Sequence, residues 1–298
     1  MLTKIIKTLI IFCVQFGLLH GGSTESYEKK YVLSIGAIFK DEAPYLKEWI
    51  EYHLLIGVDH FYLYNTESSD HFQKVLKKYI DQNIVTLTHW PEAYKYDNED
   101  NDYLWALSTQ LPAYENAVNF KARGETKWLA LLDIDEYLVS PKEGIKELLI
   151  KYDDYPGLVI GTDYFDAAKT DHIPKRKLLI ESLNIAKPPR QKIEKSITKM
   201  IFKPALCEGF SWPPYQCRFK NEKSGYTLDK KQLRMNRYLN RNIQYFHLDA
   251  LKHCLNIDQY ELSEAETLLL LDEGYMLEKD DHSLQQYVPQ ILKKISQK

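Results

Sequence analysis

Three acidic residues follow directly on an apolar stretch in the segment KWLALLDIDEYLVS, which runs from Lys127 to Ser140. Asp133, Asp135 and Glu136 come straight after the run WLALL, with only Ile134 between the two aspartates. Burying three carboxylates without counter-charges costs several kcal/mol. A divalent cation removes that cost, because Mg2+ and Mn2+ take oxygen ligands and commonly bridge carboxylates to substrate phosphates. The pattern therefore predicts a metal that holds a diphosphate leaving group, with both aspartates on one face of an extended segment.

The same acids fit two alternative roles. They can cap the N-terminus of a helix in EYLVSPKEG, since negative side chains are favourable there. A D-x-D after a buried strand is also typical of haloacid-dehalogenase-like phosphatases, which carry it on the first strand with Thr or Val two residues after the second Asp. Here the motif follows a late strand and Tyr137 stands at that place. The phosphatase is therefore the less favoured alternative.

A buried strand and an amphipathic helix open the predicted fold. YVLSIGAIF, from Tyr31 to Phe39, is apolar and contains β-branched residues, which predicts a buried strand. In the following APYLKEWIEYHLLIG the apolar residues recur at helical spacing. Asp41 is predicted to cap this helix and Gly57 to end it. His53 lies on the apolar face, where we expect a packed, hydrogen-bonded core histidine.

Further strands and helices alternate up to the three acids. DHFYLYN, IVTLTHW and KWLALLD read as strands and FQKVLKKYIDQ as a helix. YLWALSTQLPAYENAVNFKARG reads as a long helix that is bent or broken at Pro112. This alternation predicts an α/β fold with a mainly parallel sheet flanked by helices, whose ligands bind beyond the carboxyl ends of the strands. After Glu143 the pattern is mixed, which indicates one domain with a less regular C-terminal half.

The overall composition is that of a globular protein. The 298 residues are 44% hydrophobic and 27% charged, and the formal net charge is -3. This near-neutral balance offers no basic face for nucleic acid, so no nucleic-acid partner is expected.

The N-terminal segment differs from the rest of the chain. It has the layout of a secretory signal peptide. Two lysines come first, then an apolar run from Leu9 to Leu19, and then small and polar residues. A membrane-spanning helix needs about 20 apolar residues. A signal peptide in residues 1–22 is therefore favoured over a short signal-anchor, with a linker at 23–30 and the folded domain at 31–298. We expect an exported, secretory-pathway or membrane-associated protein, with possible membrane association through its N-terminus.

Four cysteines are present, and Cys13 lies in the apolar run. In an exported protein Cys207 and Cys217 could close a small loop, leaving Cys254 over. Three unpaired thiols are the preferred alternative. The cysteines and histidines do not have zinc-site spacing.

Several motifs, taken in order, resemble glycosyltransferase family 92 and its family 2-like relatives. KDEAPYLKEWIEYHLLIGVDHFYLYNTESSD, QLPAYENAV and KWLALLDIDEYL match between about Tyr31 and Leu138, and the match continues through KLLIES, KSITKMIFKP and LRMNRYLNRNIQYF. The resemblance implies a GT-A fold, a nucleoside-diphosphate sugar as donor, and Mn2+ or Mg2+ as cofactor. It places Glu42 at the nucleotide, and Asp133 and Asp135 at the metal and the diphosphate.

One departure from the family pattern affects the expected metal ligands. The family has Asn-His-Tyr where this chain has Asn236, Arg237 and Tyr238. A C-terminal histidine is often the third metal ligand of GT-A enzymes. Arg237 cannot bind a metal but can bind phosphate oxygens through two nitrogens, so we expect it at the diphosphate. His247 is the candidate replacement ligand.

The reaction implied by the resemblance is an inverting transfer by a hexosyltransferase, with a UDP-sugar as the expected donor and a glycan or other hydroxyl group as the acceptor. A carboxylate would take the proton of the acceptor hydroxyl. By location in the chain, Asp163, Asp166 and Glu208 are the candidate bases. A transferase fold that has lost its chemistry and only binds sugar or nucleotide is the alternative, and donor hydrolysis distinguishes the two.

Overall fold

A computed structural model describes residues 29–93, 102–139, 142, 144–166, 177–183, 185–187, 198–211, 216–239 and 279–296. The predicted signal segment and His247 lie outside these residues. Within these ranges, no helix combines the length and the apolar character that a membrane crossing requires.

The first half of the chain alternates strands with helices, as predicted. Its elements are β1 (Tyr31–Phe39), α1 (Ala43–Leu55), β2 (His60–Asn65), α2 (Phe72–Asp81), β3 (Val85–His89), a helix α3 over 102–125, and β4 (Thr126–Leu131). Strand β1 lies between β2 and β4 and is parallel to both, and β2 pairs in parallel with β3. The carboxyl ends of these four strands therefore meet at one edge of the sheet.

The second half adds shorter elements in both directions. They are β5 (Glu136–Val139), α4 (Ile145–Lys151), β6 (Gly157–Asp166), α5 (Leu179–Ser182), β7 (Ile185–Lys187), β8 (Thr198–Phe202), β9 (Cys207–Ser211), β10 (Gln216–Phe219), β11 (Tyr226–Thr227), β12 (Arg234–Leu239), β13 (Lys279–Asp280) and α6 (Val288–Ser296). Strand β8 enters antiparallel between β4 and β6. Strand β12 pairs in parallel with β6 and antiparallel with β5. The residues that follow β4 are thereby enclosed by β8 and β12.

Helices pack on both faces of the sheet. On one face, α1 and α2 bury apolar side chains against β1 and its neighbours, among them Leu33, Ile35, Trp49, Ile50 and Leu76. On the other face, Ala113 and Ala117 of α3 belong to one buried cluster with Ile38 of β1 and with Leu129 and Leu131 of β4. Successive residues of β1 thus serve opposite cores, as the alternation of a strand buried on both faces requires.

The start of α1 differs from the predicted cap. Asp41 lies at a φ of 54°, and its carboxylate accepts hydrogen bonds from the amides of Ser69 (2.7 Å) and Asp70 (3.1 Å). The amide of Ala43 in the first turn donates instead to the carboxylate of Asp70, at 2.7 Å. The prediction that Asp41 caps the helix is therefore wrong, because a side chain from the loop after β2 takes that role. Gly57, at a φ of 106°, follows the helix as predicted.

Helix α3 continues through Pro112 without the predicted break, and it contains two π-helical turns. One spans Ala106–Gln110 and a second spans Ala117–Ala122. The first ends two residues before Pro112, whose ring crowds the preceding turn and whose nitrogen cannot donate. A wider turn accommodates both effects, and such turns are frequent at functional sites.

Strands β9 and β10 form a separate antiparallel hairpin. Cys207 of β9 and Cys217 of β10 form a disulfide within it, with Cα atoms 5.8 Å apart. The preference for unpaired thiols is therefore wrong for these two residues, whereas Cys254 lies outside the described residues.

Candidate functional site

The three acids lie on a tight turn at the carboxyl end of β4. The amide of Leu132 donates to the carbonyl of Gly36 in β1 at 3.0 Å, and the amide of Glu136 donates to the carbonyl of Asp133 at 3.1 Å, which closes the turn. The expectation of an extended D-x-D is therefore wrong, and so is the alternative of a helix N-terminus, because Glu136 begins strand β5. The turn, rather than strand alternation, brings the carboxylates together.

The geometry of the turn fits a divalent cation. One carboxylate oxygen from each of Asp133, Asp135 and Glu136 lies within 4.8 Å of the other two. Asp135 is 8% exposed and Glu136 is fully buried. Oδ1 of Asp135 is buried and accepts no hydrogen bond from any residue that the structure describes. A buried carboxylate oxygen without a donor is costly, and oxygen-rich clusters of this kind suit Mg2+ or Mn2+.

Glu136 stabilises the turn through its buried carboxylate. Its Oε2 accepts the amide hydrogen of Asp133 at 2.9 Å and lies 2.9 Å from Nζ of Lys199. Burial raises the pKa of the Glu136 carboxyl to about 7, and the carboxylates of Asp133 and Asp135 act in the same direction. Lys199 and Arg237 oppose this rise in the pKa because they favour the charged form.

Lys199 is a site residue that sequence reasoning missed. It lies on β8, its side chain is fully buried, and its Nζ is also 3.8 Å from Asp133. A buried ammonium of this kind needs a carboxylate partner. The available signal was one charged residue inside the otherwise apolar strand TKMIF, which predicts a buried counter-ion.

Arg237 spans all three acids from β12, where it pairs in register with Glu136 of β5. Its Nη2 is 3.4 Å from Asp133, its Nε is 3.5 Å from Asp135, and its Nη1 is 3.4 Å from Glu136. The side chain is 23% exposed. Arg237 therefore lies among the carboxylates of the acidic turn, and its contact with a diphosphate stays a prediction.

Two polar residues of α3 contact Asp133 from the opposite side. Nε2 of Gln110 lies 3.5 Å and the hydroxyl of Tyr114 lies 3.3 Å from Oδ1 of Asp133, and Gln110 also donates to Tyr114 at 3.2 Å. Both side chains are buried. Gln110 ends the first π-helical turn. The motif QLPAYENAV contained these residues, but periodicity alone did not single them out.

The remaining predicted site residues lie elsewhere. Asp163 is in ion pairs with Lys230 (2.6 Å) and Arg234 (3.0 Å). The register of β6 and β12 places Asp163 opposite Asn236, one residue out of step with Arg237 and hence on the other face of the sheet. The roles of Asp163, Asp166 and Glu208 as candidate bases stay predictions.

Of the others, Asp166 ends β6, and only its backbone is described. Glu208 is exposed on the hairpin strand β9. Glu42 directly precedes α1 at the carboxyl end of β1, the same edge of the sheet as the acidic turn, which is compatible with its predicted place at a nucleotide. The suggested ligand His247 lies beyond the described ranges.

An α/β sheet of this topology, with an acidic turn beyond its central parallel strands, gives the protein the GT-A fold. The chain belongs to glycosyltransferase family 92, whose sequence profile matches residues 29–257. The family resemblance and the fold class predicted from sequence are thereby confirmed.

Curated relatives share the family description. A glycosyltransferase family 92 protein from Ricinus communis is 30% identical over 131 residues, which cover 42% of this chain and 20% of that protein. One from Arabidopsis thaliana is 26% identical over 144 residues, which cover 44% of this chain and 22% of that protein. The chain thus spans about a fifth of the length of these relatives.

Solved structures with a similar chain path include TarS from S. aureus. The TM-score is 0.39 at 13% identity, over 82% of this chain and 70% of that chain. A TarS structure in complex with UDP gives a TM-score of 0.38 at 12% identity, again over 82% and 70%.

Proposed function

We propose that the protein is a metal-dependent hexosyltransferase that moves a sugar from a nucleoside-diphosphate sugar, with UDP as the expected nucleotide, to a hydroxyl group of a glycan or other acceptor. The observation that carries this proposal is the buried acidic turn at the carboxyl edge of the sheet in a family 92 chain, where Oδ1 of Asp135 accepts no hydrogen bond from the described residues. Ligands of open α/β sheets bind at that edge.

Each side chain of the turn has a distinct role in this proposal. Asp133 and Asp135 would hold Mn2+ or Mg2+, which when bound would stabilise negative charge on the leaving diphosphate. Glu136 accepts a hydrogen bond from the amide of Asp133. Gln110 and Tyr114 contact Oδ1 of Asp133. These contacts orient Asp133 before any ligand arrives, which reduces the reorganisation required on binding.

An inverting reaction also needs a base on the acceptor side. Asp163 already lies between two cations and on the other face of the sheet from Arg237. Asp166 and Glu208 are therefore the first of the three candidates to test, by Asp166→Asn and Glu208→Gln. The variant that lacks the base should show a rate of sugar transfer at least about a hundredfold lower, with unchanged affinity for UDP.

We further propose that the protein works in the secretory pathway or outside the cell. The disulfide between Cys207 and Cys217 supports an oxidising compartment. The described chain starts at the amino end of β1, where Lys29 bonds the carbonyl of Arg123 at 2.9 Å. That end of the sheet is opposite the acidic turn.

A panel of nucleotide sugars tests the proposal. The expected result is Mn2+-dependent release of the nucleoside diphosphate, which chelation abolishes. The replacement of the family histidine by Arg237 favours one second candidate, a binding protein without turnover. That candidate predicts Mn2+-dependent UDP binding in calorimetry but no diphosphate release from any donor, with or without acceptors.

A further inference from the structure

Two internal cations lie against the acidic turn, and they differ in their exposure to solvent. Lys199 is sealed from solvent and its Nζ lies 2.9 Å from Glu136, at hydrogen-bond distance. Arg237 is partly exposed, and each of its three nitrogens lies 3.4 to 3.5 Å from a different carboxylate. All three are ion-pair distances, so the guanidinium bridges the three carboxylates. Lys199 is therefore closed off from an incoming ligand, whereas Arg237 lies on the same carboxylates at the solvent-facing side of the turn.

We propose that Arg237 is an exchangeable counter-ion, which neutralises the carboxylates of the empty site and moves onto the diphosphate when a divalent cation and the donor bind. This inference rests on the proposed function, since it concerns how that site admits its ligands. It assigns Arg237 a positioning and regulatory role at the metal, in addition to phosphate contact.

Electrostatics gives the direction of the exchange. A divalent cation held by Asp133 and Asp135 would lie within a few ångströms of the guanidinium, and the two positive charges repel. The guanidinium fork matches two phosphate oxygens, so a bound diphosphate offers it new partners in place of carboxylates that the metal has taken. Metal alone must displace Arg237 without that compensation. Metal and nucleotide should therefore bind with strong positive coupling, and the coupling factor is the same whichever binds first.

Mn2+ binding without nucleotide tests this directly, through the electron paramagnetic resonance signal of free Mn2+. Arg237→Met removes the charge and keeps much of the side-chain length. It should tighten binding of Mn2+ alone by at least tenfold, and the factor by which UDP improves Mn2+ affinity should shrink at least tenfold. Lys231→Met is the matched control, because it removes one positive charge from an exposed residue in the turn before β12. Its Mn2+ affinity should stay within about twofold of wild type.

The outcomes separate this inference from the proposed function. If Arg237→Met binds Mn2+ alone no more tightly than wild type, or if neither binds it, the exchange is refuted even where Mn2+ and UDP together bind normally. If no protein binds UDP with Mn2+, the proposed donor is wrong, yet Mn2+ alone still decides the role of Arg237. Arg237→Gln provides a second variant, and circular dichroism establishes that each is folded.

Discussion

Protonation of His53 should destabilise the protein at mildly acidic pH. The imidazole is fully buried in α1, its Nδ1 lies 2.8 Å from the carbonyl of Trp49, and its Nε2 lies 3.4 Å from the amide of Leu138. A carbonyl can only accept and an amide can only donate, so Nδ1 carries the proton and Nε2 does not. A second proton on Nε2 would face the amide hydrogen and break this contact with β5, the strand that follows the acidic turn.

The magnitude follows from the burial of the ring. Desolvation lowers the pKa of His53 from 6.5 to about 3. Between these two values the unfolded chain binds more protons than the folded protein, so stability is retained above pH 6.5 and falls as the pH drops towards 3. From pH 7 to pH 5 this one group should reduce the free energy of unfolding by about 2 kcal/mol.

Urea unfolding of wild type and His53→Gln at pH 7, 6 and 5 measures this contribution. Glutamine keeps a neutral donor and acceptor but has no proton to gain in this range. Lost ring packing should make the variant less stable at pH 7, and the gap between the two proteins should close by about 2 kcal/mol at pH 5. Other titrating groups are common to both proteins and cancel. A gap constant to within about 0.5 kcal/mol would refute the reasoning, because the ring would then protonate without a folding cost.

Three further predictions concern the acidic turn and the hairpin. Asp133→Asn and Asp135→Asn should each abolish Mn2+-dependent UDP binding in calorimetry with the thermal midpoint nearly unchanged, and retained affinity in both would contradict the metal site. Lys199→Met leaves a buried carboxylate without its ammonium and should lower the free energy of unfolding in urea by about 3–5 kcal/mol, so a loss below about 1 kcal/mol would contradict the buried ion pair. Replacing Cys207 and Cys217 by alanine should cost about 3 kcal/mol by the same assay, and no loss would mean that the thiols are unpaired in the purified protein.

The parallel half of the fold could be predicted because its signals are local. Strands β1, β2 and β4 are each a buried apolar run, and α1 has apolar residues at helical spacing. Such patterns depend on a residue and its near neighbours alone. The position of β8 between β4 and β6 could not be predicted in this way, because it depends on antiparallel pairing between segments far apart in the chain. The predicted capping residue of α1 was wrong for the same reason, since Asp70 reaches the first turn of the helix from another loop.

The candidate site divides along the same line. Asp133 and Asp135 are adjacent in sequence to the strand that positions them, and the prediction placed them correctly at its end. Lys199 reaches the turn because β8 pairs with β4, and Arg237 reaches it because β12 pairs with β5. Residue type alone could not show that both side chains lie against the same carboxylates. Arg237 was singled out because it departs from a family motif. Lys199 was not, because it lies in the motif KSITKMIFKP, which matches the family.

The charge balance of the turn explains how a ligand-free protein can tolerate three clustered carboxylates. With all three carboxyls ionised, Lys199 and Arg237 bring the formal charge of Asp133, Asp135 and Glu136 from -3 to -1. A divalent cation bound there would change that charge to +1, which attracts a diphosphate anion as strongly as the empty site repels it. The empty turn is thus poised to accept a cation first in charge terms, and only the cation-loaded turn favours the donor. A neutral residue at position 237 would leave the empty site at -2 and the loaded site uncharged, so the arginine makes the sign reversal possible.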